Sequence, residues 1–331
     1  MTNILLPLVV AGVLAVLPAL GAHVTAGRWF FGVLFPYFAL VVFLAGVTLR
    51  VLKWAKAPVP FRIPTTCGQQ QSLSWIKSSR LDNPHDTVGT IGRMALEVLF
   101  FRSLFRNTQV ELRAGPRLGY GSAKWLWAGG LAFHYSFLVI ILRHLRYFTE
   151  PVPRFVGWVQ SLDGFLEVGV PPVMITSVVL VGAVGFLFLR RVWSPQLRYL
   201  SLPADYFPLF LILAIGASGL LLRHVVRTDI VGVKTHMLGV LSFHPALVDG
   251  LHGLFYTHLF LVCALFAYFP FSKLMHLAGV FLSPTRNLAN NNRRVRHVNP
   301  WNYPVTVHTY EEYEDEFRDK MKAAGIPVEK E

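Results

Sequence analysis

Six apolar runs, each about as long as a helix needs to cross a bilayer, dominate this chain and leave little room for another architecture. They cover roughly residues 4–22, 29–52, 124–148, 170–193, 205–222 and 247–276. Trp29, Trp54, Trp125, Trp127, Tyr147, Trp193 and Tyr206 stand near their ends, where interfacial aromatic belts form. No strand pattern or internal repeat competes with helices. The expectation is an all-α, polytopic bundle with about six transmembrane helices. The first run begins Met-Thr-Asn without a positive charge, so it reads as a retained helix rather than a cleaved signal.

Composition supports this reading: 53% of residues are hydrophobic and 15% charged, against about 25% in an ordinary soluble domain. The formal net charge is +13, but the cations sit between apolar runs, which points to topology and not to a nucleic-acid surface. Twelve Lys and Arg lie at 50–124, three at 190–198 and nine from Lys273 onward, against seven on the opposite face. The positive-inside rule therefore predicts a multi-pass protein of the cytoplasmic (inner) membrane with both termini in the cytoplasm. The chain divides into two N-terminal spans (1–53), a cytoplasmic segment (54–123), a four-helix region (124–283) and a cytoplasmic tail (284–331). The tail carries a basic stretch at 293–296 and an acidic run at 310–318, which predicts a short amphipathic helix.

Two cysteines without a CxxC spacing cannot hold an iron–sulfur cluster or attach a c-type haem. Cys67 reads as an inert thiol. Histidines are the informative residues, because an imidazole in hydrocarbon is costly and usually has a task. His134, His144, His258 and His276 fall in or at the edges of the third and sixth runs. Neutral imidazole is a common axial ligand of haem iron. His258 and His276 are 18 residues apart, or five turns on one face, about 27 Å. His134 and His144 are ten apart, about 15 Å. With the two runs antiparallel, His144 pairs with His258 toward the outside and His134 with His276 toward the inside. Two b-type haems, stacked across the membrane, follow. The unequal spacings require Pro270 to bend or end the sixth helix near residues 269–272. His23, His85, His224, His236, His244 and His252 read as interfacial or solvated, with His224 a substitute ligand. Gly182/Gly185 and Gly216/Gly219 predict close helix packing.

These residues carry a resemblance. The stretch Phe-Pro-Phe-Ser-Lys-Leu-Met-His at 269–276, with His258 before it and the His134/His144 pair ten apart, resembles the gamma subunit of respiratory nitrate reductase, a dihaem cytochrome b family. The resemblance covers about residues 30–280. An extra N-terminal helix, the long segment containing Pro-Phe-Arg-Ile-Pro-Thr-Thr-Cys-Gly at 60–68, and a longer tail set the chain apart. With them it is more similar to the membrane cytochrome b subunits of the sulfite-reduction-associated Dsr MKJOP complexes of sulfur-metabolising prokaryotes. That similarity implies a menaquinone-linked electron carrier. It also implies a cytoplasmic iron–sulfur partner related to heterodisulfide reductase, and further membrane and periplasmic subunits. A quinol is expected near the outer pair, with Arg143, Arg146, Lys234, His236, Asp249 and His252 as candidate polar contacts. Two other readings compete: a haem-free transporter with a histidine proton relay, disfavoured by the near absence of Asp and Glu from the runs, and a passive membrane anchor, which leaves four intramembrane histidines idle.

Overall fold

The computed structural model describes residues 2–57, 68–115, 117–293 and 307–330. Cys67 and most of the basic stretch at 293–296 lie outside the described residues. Among these, six helices are long and apolar enough to span a bilayer: α1 (Thr2–Gly21), α2 (Thr25–Ala55), α4 (Lys124–Tyr147), α6 (Ile175–Trp193), α7 (Pro203–Val226) and α9 (Gly253–Phe271). The remaining longer helices are α3 (Thr87–Phe100), α5 (Arg154–Asp163), α8 (Ile230–Leu241) and α10 (Tyr310–Ala323). The molecule is a polytopic helical membrane protein.

Helix α9 occupies the centre. It is apolar around its whole circumference, the pattern of a helix with no water-facing side. Tyr256 and Leu261 are fully buried, and α1, α2 and α7 all pack on it. Phe260 of α9 meets Phe31 and Phe35 of α2 at ring distances of 5.2 and 4.4 Å. On the other side α7 packs on α6, and α6 on α4. Helix α4 is thus tied to the bundle mainly through α6, leaving its histidines to face α9 side chain to side chain. In lipid there is little hydrophobic drive between helices, so such packing and polar caps hold the assembly together. Gly46 is one place where this is visible. It lets α2 meet the end of α9, and a Cβ there would lie 2.6 Å from Pro270.

The end of α9 follows from its sequence. Regular helix stops at Tyr268, a tight turn covers Phe269–Phe271, and Ser272 is extended (φ −110°, ψ 176°). Pro270 cannot donate within a helix. Arg50 of α2 donates to its carbonyl at 2.6 Å. The Ser272 hydroxyl then accepts the Leu274 N–H and starts a new turn that carries His276. The sixth run therefore begins later and ends sooner than its hydropathy suggested, and it breaks where Pro270 required.

Other expectations need correction. The segment 54–123 contains α3 and an antiparallel hairpin, β1 (Thr108–Arg113) and β2 (Arg117–Ser122), where no strand was expected. The hairpin is short, with Gly115 in its turn and Gly119 and Gly121 inside β2, so it shows no long alternating pattern. The fourth span starts at Ile175, after Pro171 and Pro172, not at residue 170. Gly182 and Gly185 face open space instead of a neighbouring helix, whereas Gly216 abuts Val181 and Gly219 abuts His258. The acidic tail does form a helix, α10, closed at its start by a reciprocal Thr309–Glu312 cap.

Candidate functional site

The structure brings the four histidines of the third and sixth runs together in two pairs. The rings of His144 and His258 are 6.4 Å apart and 23° from parallel. Those of His134 and His276 are 5.9 Å apart and nearly perpendicular. The turn at Ser272 removes the mismatch between the two spacings, because His276 no longer continues the axis of α9.

Hydrogen bonding fixes which ring nitrogen is available. His134 Nδ1 lies 2.7 Å from the Gly130 carbonyl, and His144 Nδ1 lies 2.7 Å from that of Ile140, each one turn back on α4. His276 Nδ1 lies 3.0 Å from the Lys273 carbonyl. A carbonyl only accepts, so in each case Nδ1 carries the hydrogen and Nε2 keeps its lone pair. His258 reaches the same state through a relay. Its Nδ1 is 2.9 Å from the Ser218 hydroxyl, which in turn donates to the Ile215 carbonyl at 3.0 Å. Such partners on the remote nitrogen are what orient ligating imidazoles and fix their tautomer. Gly219 makes room for this ring, since a Cβ there would stand 3.2 Å from His258 Cε1. Phe101 packs on His134. It ends α3 in the left-handed conformation (φ 49°), and its ring meets His134 edge-on at 4.9 Å.

The six residues expected around a quinol fall at several places. Arg143 is buried against Asp163, with Nε 2.8 Å from Oδ2, and also reaches the Thr176 and Ser177 hydroxyls. Thr176 gives both its N–H and its hydroxyl to Asp163. Arg146 donates to Gln160 and stacks over Tyr147, whose ring lies 5.7 Å from that of His144. Beside them is a cavity of about 340 Å³, lined in part by Gln160, Ser161, Gly164, Met174 and Arg223. Lys234 pairs with Glu150, and His252 caps the start of α9. Asp249 is exposed. His236, expected at an interface, is fully buried. Its nitrogens lie 3.1 and 3.0 Å from the carbonyls of Ala246 and Gly32, the latter in a π-helical turn of α2. Both nitrogens are thereby committed. Nε2 of His224 is buried with no hydrogen-bond partner among the described residues.

Sequence reasoning missed Asp163, Ser218 and Phe101. Asp163 lies outside the apolar runs, and only the structure folds α5 back onto Arg143. Ser218 stands one residue before a glycine that drew attention for packing alone. Among the described residues, no three His, Cys, Asp or Glu side chains converge in the manner of a bare metal centre.

Six apolar spans packed as a polytopic bundle, with two facing pairs of histidines at the third and sixth, define a class: multi-pass α-helical integral membrane proteins. Residues 96–297 match the nitrate reductase gamma subunit family, and the chain belongs to it. It is similar to the "Hdr-like menaquinol oxidoreductase cytochrome b-like subunit" of Archaeoglobus fulgidus, with 44% identity over 278 residues, 82% of this chain and 83% of the relative. The corresponding subunit of Archaeoglobus profundus is 43% identical over 273 residues, covering 80% and 81%. The respiratory nitrate reductase 1 gamma chain of Escherichia coli is 29% identical over 160 residues, 45% of this chain and 69% of that one.

Proposed function

We propose that this chain is a dihaem cytochrome b subunit that links menaquinol, on the outer side of the cytoplasmic membrane, to a cytoplasmic iron–sulfur partner. The observation that carries the reading is the pair of imidazole couples, rings 6.4 and 5.9 Å apart, with each Nδ1 engaged and each Nε2 left with its lone pair. An imidazole nitrogen binds a transition metal at about 2 Å, so two axial imidazoles on one ion put their ring centres roughly 6 Å apart. Both pairs fit that span. Two protein ligands complete a metal only if a macrocycle supplies the rest, which a porphyrin does.

Haem b, when bound, supplies reversible one-electron chemistry at two depths of the bilayer. The protein holds and orients it: His144 and His258 at the outer pair, His134 and His276 at the inner pair, with Ser218 and the carbonyls of Gly130, Ile140 and Lys273 fixing ring tautomers. Menaquinol oxidation releases two electrons and two protons. The cavity lined by Gln160, the partner of Arg146, is the favoured place for the quinol ring, because it mixes apolar walls with polar groups and connects to His144 through Arg146 and Tyr147. Lys234, Asp249 and His252 remain the secondary candidates, whereas His236 has both nitrogens engaged within the fold.

The names of the two Archaeoglobus relatives support menaquinol as the substrate class and a heterodisulfide-reductase-like assembly. On this reading both termini are cytoplasmic, and the partner docks on the β1–β2 hairpin. The hairpin leads directly into α4, and its apolar cross-strand pairs, Val110 with Tyr120 and Leu112 with Leu118, are exposed. Such a hairpin alone is marginal in water and gains from a cover. The wider complex, with further membrane and periplasmic subunits, belongs to dissimilatory sulfur metabolism. The test is anaerobic addition of a reduced menaquinol analogue to the purified protein. Reduction of b-type absorbance bands is expected; bands that dithionite reduces but the quinol does not would contradict the substrate assignment.

A further inference from the structure

Helix α3 is built inside out. Its polar residues Thr90 and Arg93 are buried, and Glu97 pairs with Arg286 of the segment after α9. Past Thr87 at its first position, its exposed positions, Val88, Ile91, Ala95, Val98, Leu99 and Phe100, are all apolar, and most recur at helical spacing. Val88 is 79% and Ile91 64% exposed. A helix lying on a water-facing surface would show the reverse arrangement.

Its two ends differ in a matching way. At the start, Asp86 caps the helix by accepting the Gly89 N–H. At the end, side chains of α4 satisfy successive carbonyls. Tyr135 Oη donates to Leu99 and Trp127 Nε1 to Phe100, each at 2.8 Å. A helix terminus in water leaves these carbonyls to solvent, but one in hydrocarbon must find protein donors. Tyr135 lies eleven residues beyond Lys124, about 16 Å along α4, and its side chain leans back toward the start of the helix. The end of α3 therefore sits roughly 10 Å below the level of Lys124.

We propose that α3 is a re-entrant helix seated in the leaflet on the side of Lys124, with lipid acyl chains covering its Val88–Ile91–Ala95–Val98 face. Three further facts fit this occupant. The face continues the lipid-facing surface of α4, where Leu138 and Ile141 are exposed. It opens on a groove of about 580 Å³ lined chiefly by Ile91, Met94, Ala95, Val98, Phe281 and Leu288, which suits a hydrocarbon chain. Through Phe101, α3 also packs on His134. The long segment between the second and third runs is thus only partly cytoplasmic.

The test places a nitroxide singly at Val88→Cys, Ile91→Cys and Val98→Cys in the full chain carrying Cys67→Ser, reconstituted without partner subunits in phosphatidylethanolamine–phosphatidylglycerol vesicles. Leu138→Cys on α4 and Glu311→Cys on α10 serve as lipid and water references. Collision with dissolved oxygen should be frequent and collision with a water-soluble nickel chelate suppressed, as at the Leu138 position. Free collision with the nickel chelate, as at Glu311, would overturn the proposal by leaving the face in water for a protein partner. Low collision with both probes would overturn it too, by showing that another copy of the chain covers the face. The three positions report independently, so one poorly folded variant does not decide the result.

Discussion

Nδ1 of His258 and the hydroxyl of Ser218 lie 2.9 Å apart, and the same hydroxyl donates to the Ile215 carbonyl. This is the one member of the four-histidine set whose orientation depends on a side chain of another helix. Loss of such a partner typically costs ten- to a hundredfold in metal affinity, by about that order. Ser218→Ala is expected to lower haem occupancy at the outer pair and to shift one midpoint potential while leaving the other in place. Ser218→Thr keeps the hydroxyl and is expected to restore both. Potentiometric titration of the visible bands checks the pair of variants.

Gly219 gives a steric counterpart. Its missing Cβ leaves only 3.2 Å to His258 Cε1, so Gly219→Leu must displace the imidazole or the helix. The expected outcome is loss of the outer haem with the inner one retained, read as half the haem per chain by pyridine haemochrome assay. Retention of both would mean that the ring has more freedom than this packing allows.

The Arg143–Asp163 pair lies at the C-terminal end of α4, with Asp163 buried and Arg143 largely so. Removing one member of a buried pair strands the other and costs about 3 kcal/mol or more. Asp163→Ala is thus expected to lower the midpoint of thermal unfolding in detergent by several degrees, and the double variant with Arg143→Leu to recover part of it. If the cavity beside the pair holds the quinol, Asp163→Ala also raises the apparent KM for a menaquinol analogue.

Asp82 ties the region before α3 to Arg102 and Arg106. Burial acts to raise its carboxyl, but the hydrogen bonds from Arg102, Arg106 and Ser79 outweigh it and hold the group at about 2, below its ordinary 3.8. A carboxyl with a depressed folded value stabilises the fold above the unfolded value and loses that contribution as pH falls through the folded one. Protection of the segment 68–107 from an acid-active protease should therefore be constant above pH 3.8 and decline toward pH 2. Asp82→Asn should show weaker protection that no longer changes over this window.

Much of this molecule is legible in residue order. The six spans stand out because hydrocarbon imposes a length and a composition, and the break at Pro270 follows from a missing donor. Which histidines come to face one another can be read from spacings of ten and eighteen. What spacing could not supply is the turn at Ser272, which takes His276 off the α9 axis and brings its ring to His134. Long-range partners were equally hidden. Asp163 at the end of α5 and Ser218 within α7 are ordinary polar residues until the chain folds. The burial of His236 depends on a π-helical turn around Gly32 that no periodicity announces. Helix α3 was missed because its segment is rich in glycine, proline and charge, and its apolar stripe is too short to register as a span.

The central claim is that four imidazoles hold two haems, and haem quantitation on the purified full chain tests it most directly. Two b-type haems per chain are predicted, with one lost in His144→Ala and His258→Ala, and the other in His134→Ala and His276→Ala. A protein without a Soret band, or one that keeps both haems in any of these variants, would contradict the account.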